Sequence, residues 1–142
     1  MVLSREYAPQ IVVKTEGLPR EDWLEYRRLG IGGSDAAAVL GISPFQTGRD
    51  LYYDKLKIVS ANDDDNWVAK KAGTLLEPLV AEIFSYRTGL KVYRKPFMYQ
   101  HPKYPWMLAD LDYLVELPNG KIAILECKTC LLYTSPSPRD RT

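Results

Sequence analysis

Asp112-Tyr-Leu-Val-Glu-Leu117, Pro118-Asn119-Gly120, Lys121-Ile-Ala-Ile-Leu-Glu126-Cys127-Lys128 is the stretch on which the fold turns. Two runs rich in β-branched and apolar residues flank a Pro-Asn-Gly loop, which predicts a β-hairpin. A three-residue loop with Gly120 left-handed pairs Leu117 with Lys121 and brings Asp112 opposite Glu126. Facing residues on one side of an antiparallel pair lie about 4.5–5.5 Å apart at Cβ. Glu126 and Lys128 are two apart and so share that face. A two-residue Asn119-Gly120 turn puts Cys127 opposite Asp112 instead and separates the carboxylates. The register therefore decides whether the charged groups meet.

Two carboxylates and an ammonium on one face suit a hard divalent cation such as Mg²⁺, which takes oxygen ligands and keeps water in its shell. A metal held there lowers the pKa of bound water and stabilises charge on phosphate. The bland reading is an ion-paired trio on a solvated strand, worth little stability. A bare D…ExK pattern leaves both readings open.

Working outward, helices precede the hairpin. Glu21 to Leu29 reads as a short helix with acids first and arginines last, in keeping with the helix dipole. The Gly30-Ile31-Gly32-Gly33 run ends it, and Ser34 is the expected N-cap of a helix from Asp35 to Leu40, closed by Gly41. Thr47 is placed to cap a third helix reaching about Leu56. Asn62–Asp65 reads as a solvated acidic loop, since the EF-hand spacing is absent. Asn66 to Thr88 reads as one long helix or two joined near Gly73, with Leu75, Leu76, Leu79, Val80, Ile83 and Phe84 at helical spacing. Pro78 suggests a fresh helix start near Leu76 or Glu77.

After Gly89 the period shortens to two. Strands are expected at Leu90–Tyr93, Phe97–Gln100, Trp106–Asp110, Asp112–Leu117 and Lys121–Lys128. Helices first and a largely antiparallel sheet after them indicate an α/β (α+β) domain. The chain divides on this reading into an N-terminal arm over 1–19, one domain over 20–129 and a tail over 130–142.

Composition bounds the function classes. The chain has 142 residues, 46% apolar and 26% charged, which is ordinary for one globular domain. Its net charge of +1 gives no global basic signature for nucleic acid, so a DNA-binding field must come from local patches such as Arg27 and Arg28. No apolar run approaches the roughly 20 residues of a membrane span, and the N-terminus lacks the apolar core of a signal peptide. A cytoplasmic protein without membrane partners is expected. Cys127 and Cys130 form a C-x-x-C, yet His101 is the sole histidine, so no zinc site completes.

The tail changes that spacing. Cys130–Thr142 reads CLLYTSPSPRDRT, and its first eleven residues match the read-through of a transposase-type sequencing adapter. On this reading native sequence stops at Thr129, the C-x-x-C is spurious, and the tail is set aside from the fold.

Four segments in order carry a family resemblance: WLEYRRLGIGGSDAAAVLGISPF, GTLLEPLVAEIFSYRTG, HPKYPWMLADLDYLV and ILECKT. The chain resembles the YqaJ-like viral recombinases, relatives of the phage lambda exonuclease with a PD-(D/E)xK, restriction-endonuclease-like core. The resemblance spans Trp23 to Thr129. It implies Asp112, Glu126 and Lys128 as catalytic residues. It also implies Glu77 as a helical acid that joins Asp112 and Glu126 at Mg²⁺ (or Mn²⁺), and Arg28 and Ser34 as the grip on a DNA 5′-phosphate. Further implications are processive 5′-to-3′ digestion of double-stranded DNA ends, a single-strand-annealing recombinase as partner, a homotrimer, and a phage or prophage origin in a bacterial host. Leu111 stands where such families often have proline, and Asp110 is the second choice of ligand. Family members continue past the ExK strand with another strand and helices. Other readings stay open: an endonuclease or repair nuclease of the same fold, or an inactive DNA-end-binding module.

Overall fold

The structure is a computed structural model that describes residues 8–58 and 67–129. The tail from Cys130, the Asn62–Asp65 loop and the first seven residues of the expected arm lie outside the described residues. The chain forms two compact units, one built from Met1–Ala61 with Pro96–Leu111 and the other from Asn62–Lys95 with Asp112–Thr142.

The first unit opens with β1 (Gln10–Lys14), followed by α1 (Arg20–Arg28), a 3₁₀ turn at Gly33–Asp35, α2 (Ala36–Val39) and α3 (Gly48–Lys55). Later chain adds β3 (Phe97–Gln100) and β4 (Leu108–Asp110), giving an antiparallel sheet in the order β1-β3-β4. The expected arm thus contains a strand, whose partners near Gln100 lie far along the sequence. Thr47 caps α3 as its sequence suggests: its hydroxyl accepts from the Asp50 N–H, and the Asp50 carboxylate accepts from the Thr47 N–H. Gly41 closes the α2 region with φ 70°, a left-handed stop that costs glycine nothing. Ala38, Leu51 and Met98 are the buried apolar residues of this unit.

Gly30 is required by close approach. A Cβ there would sit 2.4 Å from the Trp106 carbonyl oxygen. The Ile31 N–H donates to that same oxygen, and the Ile31 carbonyl accepts from Leu108 N–H, a short parallel bridge between Ile31 and Met107. The glycine run after α1 is therefore clamped to the chain entering β4.

The second unit holds α4 (Trp67–Thr88), β2 (Lys91–Tyr93), β5 (Tyr113–Glu116) and β6 (Ile122–Leu125), with its sheet ordered β2-β5-β6. The single sheet expected from sequence is thus two separate three-stranded antiparallel sheets, and the chain leaves one for the other at Leu111–Asp112. Pro78 lies inside α4, which runs unbroken from Trp67 to Thr88. Proline removes one ladder donor and crowds one carbonyl, but the apolar spacing of Leu75 to Phe84 continues through it. No fresh start occurs there. Among its described residues, Ala81, Tyr113, Leu114 and Val115 are the buried apolar ones. Among the described residues, no helix is long and apolar enough to cross a membrane.

Candidate functional site

The hairpin follows the three-residue loop. Gly120 has φ 75°, and Leu117 N–H donates to the Lys121 carbonyl. The ladder pairs Tyr113 with Leu125 and Leu114 with Ile124, the register that leads Asp112 toward Glu126 one step beyond its end. Asp112 is then used in a way the sequence did not suggest. Its Oδ2 accepts from the Cys127 N–H at 2.8 Å, tying the exit of β6 to the entrance of β5.

The Lys128 ammonium pairs with the Glu126 carboxylate, and both are well exposed. That pairing raises the Lys128 pKa above the usual lysine range. Glu77 lies 3.7 Å from Arg94. Burial raises the Cys127 thiol pKa, and the negative charges of Asp112, Glu77 and Glu126 raise it further. Their oxygen chemistry suits Mg²⁺, but the geometry to hold it is not closed. Among the described residues, no group of three or more His, Cys, Asp or Glu side chains lies close enough to hold a metal ion.

The first unit carries a second cluster. Arg27, not Arg28, meets Ser34: its Nη2 donates to Ser34 Oγ at 2.6 Å. The Arg27 guanidinium also lies 4.8 Å over the Trp23 ring, whose indole N–H donates to Asp110 at 2.7 Å. Asp110 is thereby engaged in the first unit's own network. Arg28 turns the other way, pairing with Glu25 at 2.8 Å and approaching Asp54 at 3.6 Å. Ser34 is not the N-cap that its sequence position suggests. It lies inside the 3₁₀ turn, where Gly32 takes the cap position and its N–H donates to Asp35 Oδ2 at 3.0 Å.

The sequence profile of the YqaJ-like viral recombinase domain matches residues 22–139. The chain belongs to that family. It is 40% identical over 124 residues to the Bacillus subtilis (strain 168) protein named "Uncharacterized protein YqaJ", a match covering 87% of this chain and 38% of that relative. The chain thus spans under half the length of the curated relative it matches. No solved structure matches it.

Within this YqaJ-like domain, sequence reasoning missed Arg27 as the Ser34 partner, together with Asp35 and Lys55 beneath it. A signal was present. Trp23 and Arg27 are four apart on α1 and share a face, whereas Glu25 and Arg28 are three apart and pair on another.

Proposed function

We propose that this YqaJ-like domain is the catalytic part of a metal-dependent deoxyribonuclease. It digests double-stranded DNA from an end in the 5′-to-3′ direction, during phage-type homologous recombination in a bacterial cytoplasm. The proposed core is restriction-endonuclease-like. The observation that carries the reading is the β5–β6 register, which runs Asp112 toward Glu126 and Lys128 in a chain of the viral recombinase family.

In this proposal Asp112 and Glu126, with Glu77 from α4, would hold Mg²⁺ or Mn²⁺ through their carboxylate oxygens. When bound, the cation would supply an activated water and stabilise charge at the scissile phosphate. Lys128 contributes positive charge beside the reacting phosphate. For metal to bind, Glu126 must exchange its Lys128 partner for the cation.

Arg27 and Ser34 replace the Arg28–Ser34 pair as the proposed grip on a terminal 5′-phosphate. A guanidinium offers forked donors matched to phosphate oxygens, and a hydroxyl adds one more. Arg28 is less suited, since Glu25 and Asp54 already compensate its charge. A single-strand-annealing recombinase as partner and a homotrimer belong to the same proposal.

The test is cleavage of linear duplex by the purified chain. A Mg²⁺-dependent loss of 5′-phosphorylated linear duplex, with closed circles spared, is expected. Cutting of closed circles would instead favour an endonuclease. Glu126→Gln should lower the cleavage rate about a thousandfold, the several kcal/mol that a lost metal ligand represents, while end-binding persists. Equal cleavage by that variant would remove the assigned site.

A further inference from the structure

Asp35 is the only charged side chain buried among the described residues, at 5% exposed. A carboxylate taken that far from water needs compensation, and its partners are specific. Lys55 Nζ donates to Asp35 Oδ2 at 2.8 Å, while Arg27 Nη2 stands 3.6 Å from Oδ1. The first is a charge-assisted hydrogen bond and the second lies beyond hydrogen-bonding distance. The carboxylate is thus committed to Lys55, and Arg27 is held nearby without being captured. Lys55 Nζ also donates to the Arg27 backbone carbonyl at 2.8 Å. That carbonyl is among the last of α1, which have no helical partner. One ammonium therefore fixes the backbone of Arg27 and neutralises the acid that competes for its side chain.

The charge count sets this cluster apart from its neighbour. Arg28 and Lys57 pair with Glu25 and Asp54, two cations against two carboxylates. Among the described residues, Arg27 and Lys55 form ion pairs with Asp35 alone, two cations against one. Trp23 supplies Arg27 with a stacking face rather than a charge. The Arg27–Lys55–Asp35 cluster, with one surplus cation, matches the arrival of one more anion, and the balanced Arg28 cluster does not.

We infer that Lys55 is a positioning residue for terminal-phosphate recognition: by holding Asp35, it keeps that carboxylate from capturing Arg27. This rests on the reading of Arg27 and Ser34 as the phosphate grip. Without Lys55, Asp35 becomes the nearest anion to Arg27 and takes the donors that a phosphate would use. With Asp35 also neutral, that competition disappears.

The experiment measures Kd of the full chain, without divalent cation, for one linear duplex carrying either a 5′-phosphate or a 5′-hydroxyl. The wild type should prefer the phosphate about tenfold, as charge-assisted bonds to a terminal phosphate require. Lys55→Met should bring the preference within about twofold, and Lys55→Arg should keep it. The double variant Lys55→Met with Asp35→Asn should recover the preference, which a merely structural loss does not do. If Lys55→Met alone fails to fold, a folded double variant that prefers phosphate supports the inference, and one that does not overturns it. A wild type that binds both ends equally defeats the phosphate reading and this inference together. A wild type that discriminates, beside a folded Lys55→Met that discriminates equally, overturns the role of Lys55 and leaves the phosphate reading standing.

Discussion

The charged cluster around Asp35 and the charged group around Glu126 use the same side-chain types to opposite ends. Asp35 is buried and bonded to Lys55, with Gly32 N–H on the same oxygen. Glu126 and Lys128 pair in the open, with side chains 49% and 79% exposed. A buried pair is fixed, because breaking it strands a charge away from water. An exposed pair contributes little to stability and can exchange partners. On the proposed reading, a phosphate grip calls for the first kind of site, and a metal-ligand set that exchanges a lysine for a cation calls for the second.

The contrast is broken most directly by measuring catalysis and stability on the same variants. Glu126→Gln carries the largest expected effect, about a thousandfold in cleavage rate from loss of a metal ligand, with a thermal midpoint near that of the wild type. Asp35→Ala should do the reverse at the level of the fold. It leaves Lys55 without its carboxylate and should lower unfolding free energy by about 3 kcal/mol, read by urea titration. If Glu126→Gln unfolds the protein or Asp35→Ala leaves stability unchanged, the division between fixed and exchangeable clusters is wrong.

These two regions were also unequally legible in the sequence. The hairpin was readable because a Pro-Asn-Gly loop and alternating apolar residues fix a register locally, and Gly120 and the Leu117–Lys121 bond agree. The Thr47 cap was readable for the same reason, since its partner Asp50 is three residues away. What sequence did not show depends on distant chain. Strand β1 exists because Gln10 to Lys14 pair with residues of β3. The choice between Arg27 and Arg28 depends on which face of α1 meets the Gly33–Asp35 turn and which meets Asp54 of α3. Adjacent helical residues point about 100° apart, so a shift of one residue exchanges the contact with Ser34 for ion pairs with Glu25 and Asp54. At the hairpin, the register was legible but the Asp112 bond to Cys127 N–H was not, because it lies past the last ladder pair.

A smaller effect sharpens the fixed side of the comparison. Gly30→Ala would drive a methyl group to 2.4 Å from the Trp106 carbonyl oxygen and 2.8 Å from Leu108 Cγ. Backbone must then shift in the segment that carries Ser34, at a cost of about 2 kcal/mol. Gly33→Ala meets nothing within 4 Å and should change stability by less than about 0.5 kcal/mol. Urea denaturation of the two variants side by side reads the difference. Equal losses would show that the glycine run is merely permissive and not clamped at Gly30.

The smallest expected effect probes the exchangeable side through Cys127. Burial raises its thiol pKa first, and the charges of Asp112, Glu77 and Glu126 add to the rise. A raised thiol pKa means that the folded chain holds its proton more tightly than the unfolded one. The associated stability is therefore whole below the unfolded value near about 8.5 and is lost as pH rises through the folded value. Alkylation of Cys127 should accordingly reach half its limiting rate at a pH above that of a free thiol. Asp112→Asn removes one of the negative charges and should lower that midpoint while leaving burial in place. A midpoint that does not move would mean that burial alone sets the thiol, and that the carboxylate fields do not converge at the end of the hairpin.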